Sequence, residues 1–265
     1  MNIWTQYSIE LANQKNYLDL LYKIYPMPLN LRREISDIVK TQISHSFQQR
    51  NNKELLEILL DQDIFPIKDS YVAYLKKDRN SIDRNPETIQ RLAGMLYDMG
   101  LSEIFEKTTA PKETNRQIGP LFRNWLQKRT LAPVIKDYDS FLKCNYNAIL
   151  DGSDGFLANF ANSYLGYTRI NKGLDLIAKF NGEFFIGEAK FLTDFGGHQN
   201  AQFEDAISTL QAPLEKTKYK VKTIAILDGV LYIKSNSKLH TRLHNFNDNT
   251  VILSAVLLRD YLYSI

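Results

Sequence analysis

The sequence is short of the residues that carry disulfide, redox or soft-metal chemistry. Cys144 is the only cysteine among 265 residues, so no intramolecular disulfide forms and no zinc finger or ribbon assembles from thiolates. A reducing cytoplasm is the natural expectation. Histidine occurs four times. His240 and His244 have helical metal-pair spacing, but no carboxylate or third histidine accompanies them, which argues against zinc. No apolar run approaches the roughly 20 residues of a membrane span; the longest late one is VILSAVLL, 251–258. The start, MNIWTQYSIELANQKNYLDLLY, lacks the basic region and apolar stretch of a signal peptide. No membrane partner is therefore expected. No repeat, low-complexity tract or Pro/Gly/Ser-rich linker is present either. A large excess of one sign of charge is lacking too: 33 Lys and Arg against 30 Asp and Glu leave a formal net charge of +3, which permits a nucleic-acid partner without requiring one.

What is present falls into two periodicities. Residues 1 to about 130 read as successive helices. LNLRREISDIVKTQISHSF carries Leu31, Ile35, Ile38, Val39 and Ile43 at helical spacing, and NNKELLEILLDQD follows. In RNPETIQRLAGMLYDMGLSEIFEK, Asn85 suits an N-cap, Pro86 the first helical position and Gly100 the stop. PKETNRQIGPLFRNWLQKR predicts a helix broken at Gly119-Pro120, with Arg116, Arg123, Lys128 and Arg129 near one another. From about 170 the pattern becomes strand-like in LDLIAKF, EFFIGEAKF, KTIAILDG and VLYIKS, with a helix in NAQFEDAISTLQAPLEK. The fold class expected is mixed α/β: a helical N-terminal portion packed on a mixed sheet flanked by helices.

The stretch GLDLIAKFNGEFFIGEAKF, 173–191, carries the chemistry. Asn181-Gly182 between two apolar runs is a strong signal for a two-residue type I′ hairpin. Counting outward sets Phe180 against Glu183 and Asp175 against Glu188. Directly opposed residues share a face with Cβ atoms about 5 Å apart, and two carboxylates that close repel without a cation between them. Lys190, two residues on, projects on the same face. Leu174, Leu176, Ala178, Phe180, Phe185, Ala189 and Phe191 make the other face, apolar and fit for a covering helix. A carboxylate pair suits Mg²⁺, which takes one or two protein carboxylates and completes its shell with water and phosphate oxygens. A lysine beside it can orient or help deprotonate water, or stabilise charge on phosphorus. Glu188-Ala189-Lys190 is the only Glu-x-Lys in the chain, and no Asp-x-Lys occurs.

At Asp175, Glu188 and Lys190 the chain resembles the PD-(D/E)XK nuclease superfamily, with Leu174 where a proline usually precedes the aspartate. GEAKFLTDFGGHQNAQF, RNPETIQRLAGMLYDMG, ETNRQIGPLFRNWL and AILDGVLYIK, between about 65 and 234, resemble type II restriction endonucleases of bacteria. The resemblance implies a Mg²⁺-dependent homodimer that cuts both strands of a short site in double-stranded DNA, with a cognate DNA methyltransferase in the same system. It implies a helical region, 1–110, for recognition or dimerisation, and a catalytic core, 111–265. It further points to Glu113 as an added acidic residue, the Ala189 backbone carbonyl as a metal ligand, and Gln199 or Gln202 near the scissile phosphate. Asp151 and Asp154 are weaker acidic candidates, since Asp beside Gly commonly makes a turn.

DNA contacts are open to Arg116, Arg123, His198, Gln199, Lys218 and Lys220, although charged helix faces and edges are often only solvated. The two glycines of DFGGHQ either bring backbone N–H groups to a phosphate or make a plain turn. Trp125 and Tyr138 stack on bases or fill core, the commoner case. A structure-specific repair nuclease, a ribonuclease, or a DNA-binding module with a vestigial site are the alternative readings.

Overall fold

A computed structural model describes residues 1–27, 32–111, 115–169, 172–235 and 237–265, with the backbone alone at 115 and 116. It divides the chain into two units, Met1–Met27 with Thr114–Ile265, and Pro28–Glu113. The chain therefore enters the first unit twice. α1 (Ile3–Ala12) starts where the Asn2 side chain accepts the Trp4 N–H, and α2 (Tyr17–Ile24) follows. Their buried Ile9, Tyr17, Leu21 and Ile24 belong to the core beneath the sheet. The first 27 residues thus pack with residues 114–265, while the expectation assigns 1–110 to one helical region. Helical periodicity reports that a face is buried, not which element buries it.

The second unit is helical: α3 (Asp37–Gln48), α4 (Asn52–Leu60), α5 (Ser70–Lys77), α6 (Ser81–Arg84) and α7 (Pro86–Thr108). Ser36, Asn51 and Asp69 cap three of them by accepting the N–H of Val39, Glu54 and Tyr71. Ile43, Leu55, Leu56, Leu59, Leu92, Leu96 and Ile104 close its core. Ile35 lies before α3 and Ile38 is 73% exposed, so the expected stripe is shorter than the spacing suggests; Leu31 lies outside the described residues. Pro86 opens α7 as expected, but Asn85 donates its side-chain amide to Ser81 O instead of capping. Gly100 (φ 79°, ψ 158°) kinks α7 without ending it, because the next turn still buries Ile104.

The first unit resumes with α8 (Asn115–Gln127), β1 (Val134–Ile135), α9 (Tyr138–Lys143), β2 (Ala148–Leu150), α10 (Asp154–Tyr164), β3 (Leu176–Phe180) and β4 (Glu183–Leu192). Then come α11 (Gly197–Leu210), β5 (Val221–Gly229), α12 (Lys238–His244), β6 (Ile252–Leu253) and α13 (Leu258–Tyr263). The six strands lie in sequence order. β1–β2, β4–β5 and β5–β6 are parallel and β2–β3–β4 antiparallel, so the sheet is mixed. One face meets α2, α8 and α13 through Tyr25–Phe191, Tyr25–Phe122 and Phe185–Tyr261. The other meets α9, through Phe141–Phe184, and α11, whose Leu210 carbonyl accepts from Thr223 Oγ1. Fold class is as the periodicity indicates.

Three local expectations change. α8 runs through Pro120 without a break, since one lost helical bond near its start is outweighed by burial of Ile118, Phe122 and Leu126. Asp154 opens α10 behind the Ser153 cap instead of making a turn. VLYIKS is no strand: Val230–Tyr232 is a 3-10 turn that buries Leu231 and Tyr232.

Asp228, at the end of β5, ties α1 and α2 to the sheet. Its fully buried carboxylate accepts from Tyr25 Oη at 2.9 Å, Ser254 Oγ at 2.5 Å, Tyr17 Oη at 3.3 Å and Ala255 N at 3.3 Å. Burial pushes its pKa up to about 6 against the pull of these donors, none of which is charged. The folded state then holds this proton more tightly than the unfolded chain. Asp228 adds stability below about pH 4 that is lost as pH rises through 6. Asp228→Asn does not titrate, so the unfolding free energy of wild type relative to this variant should fall by roughly 2 kcal/mol from pH 4 to pH 7 in urea titrations. A constant difference would refute the assignment.

Candidate active site

The turn between β3 and β4 has the geometry its two residues demand. Asn181 (φ 48°) and Gly182 (φ 85°) both occupy the left-handed region. From them the ladder runs Phe180↔Glu183 to Leu176↔Gly187, the register the counting predicts. At Asp175 it departs. Asp175 donates its N–H to Gly187 O at 3.2 Å, so Asp175 and Leu176 both address Gly187 and Asp175 no longer stands squarely opposite Glu188. Such a bulge-like step re-aims a side chain. The Asp175 carboxylate, just before β3, reaches toward β4, and its Oδ2 accepts the Ala189 N–H at 2.9 Å. Leu174 is displaced by the same step into the core with Ile177 and Ile186, on the face opposite to that expected.

Glu188 projects from β4 with 2% exposure. One oxygen, Oε1, takes two ammonium groups: Lys190, in a short ion pair, and Lys172 at 2.8 Å. Lys172 also reaches Asp205 Oδ2 on α11 at 2.5 Å, while Lys190 lies 3.6 Å from that atom. The other oxygen, Oε2, is buried without a hydrogen-bond partner. A buried charged oxygen left bare is expensive unless something else meets it.

The electrostatics agree with this crowding. Burial, and then the charge of Glu188, push the Asp175 carboxyl up to about 6, although Lys190, the Ala189 N–H and Lys172 pull it down. Burial works to lower the Lys190 pKa, but Glu188 and Asp175 outweigh it and hold the ammonium form. Asp205 is also partly buried, yet its hydrogen bond and charge contact with Lys172 keep it below the usual carboxylate range. The cluster contains three carboxylates and two ammonium groups, a formal excess of one negative charge.

Lys172 and Asp205 are the residues the sequence reading misses. Asp205 follows Gln202 by three residues on α11, a spacing that shares a helix face, and this was the available signal. Lys172 precedes β3 without any periodicity to mark it.

The remaining candidates scatter. Gln199 is buried, and its amide is engaged at both ends by Thr193, accepting from N at 3.3 Å and donating to Oγ1 at 3.2 Å, which braces the β4–α11 connection. Gln202 lies 3.1 Å from the exposed His198 ring through its Nε2. Arg123 pairs with Asp154, and Gln127 donates to both Asp151 oxygens at 3.0 and 3.2 Å. Arg123, Gln127, Asp151 and Asp175 line one small cavity.

Lys218 and Lys220 are exposed, Lys220 lying 3.8 Å from Glu183. The helix after DFGGHQ starts at Gly197 without a side-chain cap. Trp125 packs on Phe122, and Tyr138 on Phe156 and Phe160, both half-buried against the cores. Buried His240 bonds Leu231 O through Nδ1 at 3.1 Å, and its Nε2 lies 3.5 Å from His244 Nε2. Glu113 and the Arg116 side chain lie outside the described residues.

Among the described residues no group of three or more His, Cys, Asp or Glu forms a ready metal cage. A cation that takes only two protein carboxylates and finishes its shell with water and phosphate oxygens would fit the donors present. The bare Glu188 Oε2 and the Asp175 carboxylate, both hard oxygen donors, meet that requirement. In comparison with protein families, the model of the family described as Tsp45I type II restriction enzyme matches residues 2–265. Curated proteins and solved structures gave no match.

Proposed function

Since this chain belongs to the Tsp45I type II restriction enzyme family, and is thus a site-specific deoxyribonuclease acting on double-stranded DNA, we propose that it hydrolyses the phosphodiester at the Asp175–Glu188–Lys190 cluster with Mg²⁺. The reading rests on one observation: a buried carboxylate oxygen without a partner, Glu188 Oε2, beside a second carboxylate whose pKa is raised to about 6. Asp175 and Glu188 hold the ion. Ala189 directs its N–H to Asp175, and its carbonyl, on the same strand edge, is the third candidate ligand. When bound, Mg²⁺ supplies Lewis acidity toward the phosphate and lowers the pKa of water. Lys190 orients that water and offsets charge on the phosphate.

The residue types and their order resemble those of the PD-(D/E)XK superfamily, with Leu174 in place of the usual proline. Cutting both strands of a symmetric site needs two such centres, which a homodimer supplies. We assign recognition or dimerisation to the helical unit Pro28–Glu113, phosphate contacts to Arg116, Arg123, His198, Lys218 and Lys220, and support of the reacting phosphate to Gln202. A host carrying this activity in its cytoplasm needs a methyltransferase that protects the same site. Among the described residues no helix is long and apolar enough to cross a membrane.

Digestion of DNA of known sequence should give discrete fragments with Mg²⁺ and none with a chelator; banding unaffected by chelation would overturn the reading. Metal binding is separable from cutting with Ca²⁺ and no DNA. At 100 times its dissociation constant the ion should stabilise the protein by about 2.7 kcal/mol, a rise in Tm of about 5–10 °C. An unchanged Tm at millimolar Ca²⁺ and Mg²⁺ would count against the site.

A further inference from the structure

The metal-dependent reading leaves unexplained why two lysines share a single oxygen of Glu188. We infer that Lys172, anchored by Asp205, is a positioning residue: it holds Glu188 Oε1 so that Lys190 can leave that oxygen for the reacting phosphate, and the inference rests on the proposed function.

Glu188 is 2% exposed, and a carboxylate so buried needs a cation beside it at every stage. Were Lys190 its sole partner, each movement of Lys190 toward DNA would strand that charge. Lys172 removes the conflict. It lies between carboxylates on two elements, 2.8 Å from Glu188 Oε1 on β4 and 2.5 Å from Asp205 Oδ2 on α11, which fixes it from both sides. Lys190 has the tighter pair with Glu188 Oε1 but no second close anchor, since Asp205 Oδ2 is 3.6 Å away. With both lysines protonated the cluster carries one excess negative charge. A divalent ion and one phosphodiester then bring it to neutrality, whereas without Lys172 it stays negative and repels the phosphate.

The test compares Lys172→Met, Lys172→Arg and Asp205→Asn. Single-turnover cleavage is measured at saturating Mg²⁺, and Ca²⁺ binding from the thermal shift of the DNA-free protein. Lys172→Met should cut about 10- to 100-fold more slowly, yet bind Ca²⁺ with a half-saturation no higher than wild type, because a cation has left the site. Lys172→Arg should recover part of the rate and Asp205→Asn should lose part of it. A wild-type rate in Lys172→Met, loss of its Ca²⁺ shift together with activity, or an Arg variant no better than Met would overturn the assignment. Asp175→Asn measured alongside separates the two claims. If it keeps the Ca²⁺ shift, the metal reading fails; if it loses the shift while Lys172→Met cuts at the wild-type rate, only the role of Lys172 fails.

Discussion

Asp175→Asn should abolish cleavage and, in the absence of metal, make the protein more stable. On the proposed mechanism Asp175 would hold the ion, and losing such a ligand removes several kcal/mol of transition-state stabilisation. A loss of about 4 kcal/mol is a thousandfold in rate, and that is the smallest effect expected. The stability effect has the opposite sign. Burial and Glu188 raise the Asp175 pKa to about 6, so the folded state binds this proton more tightly than the unfolded chain does. Stability contributed by the protonated form is present below about pH 4 and lost as pH rises through 6. Above pH 6 the metal-free protein therefore holds a strained charge. Asparagine has no charge to strain and still accepts the Ala189 N–H, so the variant should gain roughly 1–3 kcal/mol at pH 7.5 in chelator.

Glu188→Gln gives the contrast. It should abolish cleavage equally, but it strands two ammonium groups on a neutral amide, so it should melt lower than wild type. Melting in chelator at pH 7.5, with single-turnover cleavage beside it, measures both. An Asp175→Asn protein that melts lower than wild type in chelator, or cuts within tenfold of it, would refute the assignment.

How much of this site was legible without coordinates follows from what each residue depends on. Asn181-Gly182 is a local signal, because only a turn with two positive φ angles joins these strands with the right twist, and it set the register down to Leu176. Register arithmetic assumes a regular ladder, and nothing in the residue types announced the step at Asp175 that moved Leu174 to the other face. Lys190 needed only period two. Lys172 and Asp205 depend on where α11 crosses β4, a tertiary relation that one-dimensional spacing does not encode. A polar residue at a helix start reads as exposed, yet Gln199 is buried with its amide bonded to Thr193. The fold class was legible because alternating and helical periods are averages over many residues; VLYIKS was not, since a short apolar run fits a strand or a 3-10 turn equally well.

Lys190→Met should cut about 10²- to 10³-fold more slowly while binding Ca²⁺ at least as tightly as wild type. The rate falls because the preorganised cation nearest the developing charge is gone, and removing one such donor has an effect of that size. Binding does not fall, because Lys172 continues to hold Glu188 Oε1 and the site is one positive charge poorer.

The choice between a base and a cation turns on the same geometry. Glu188 and Asp175 favour the charged form of Lys190 strongly enough to overcome its burial, so at rest it is an ammonium, able to donate hydrogen bonds but with no lone pair to take a proton from water. Arginine supplies a positive charge and donors but does not act as a base in this pH range. Lys190→Arg should then cut faster than Lys190→Met, though below wild type because its planar fork is a poor fit for the ammonium site. Equal rates in the Arg and Met variants would show instead that Lys190 accepts the proton of the attacking water. A Met variant within tenfold of wild type would remove Lys190 from the chemistry altogether.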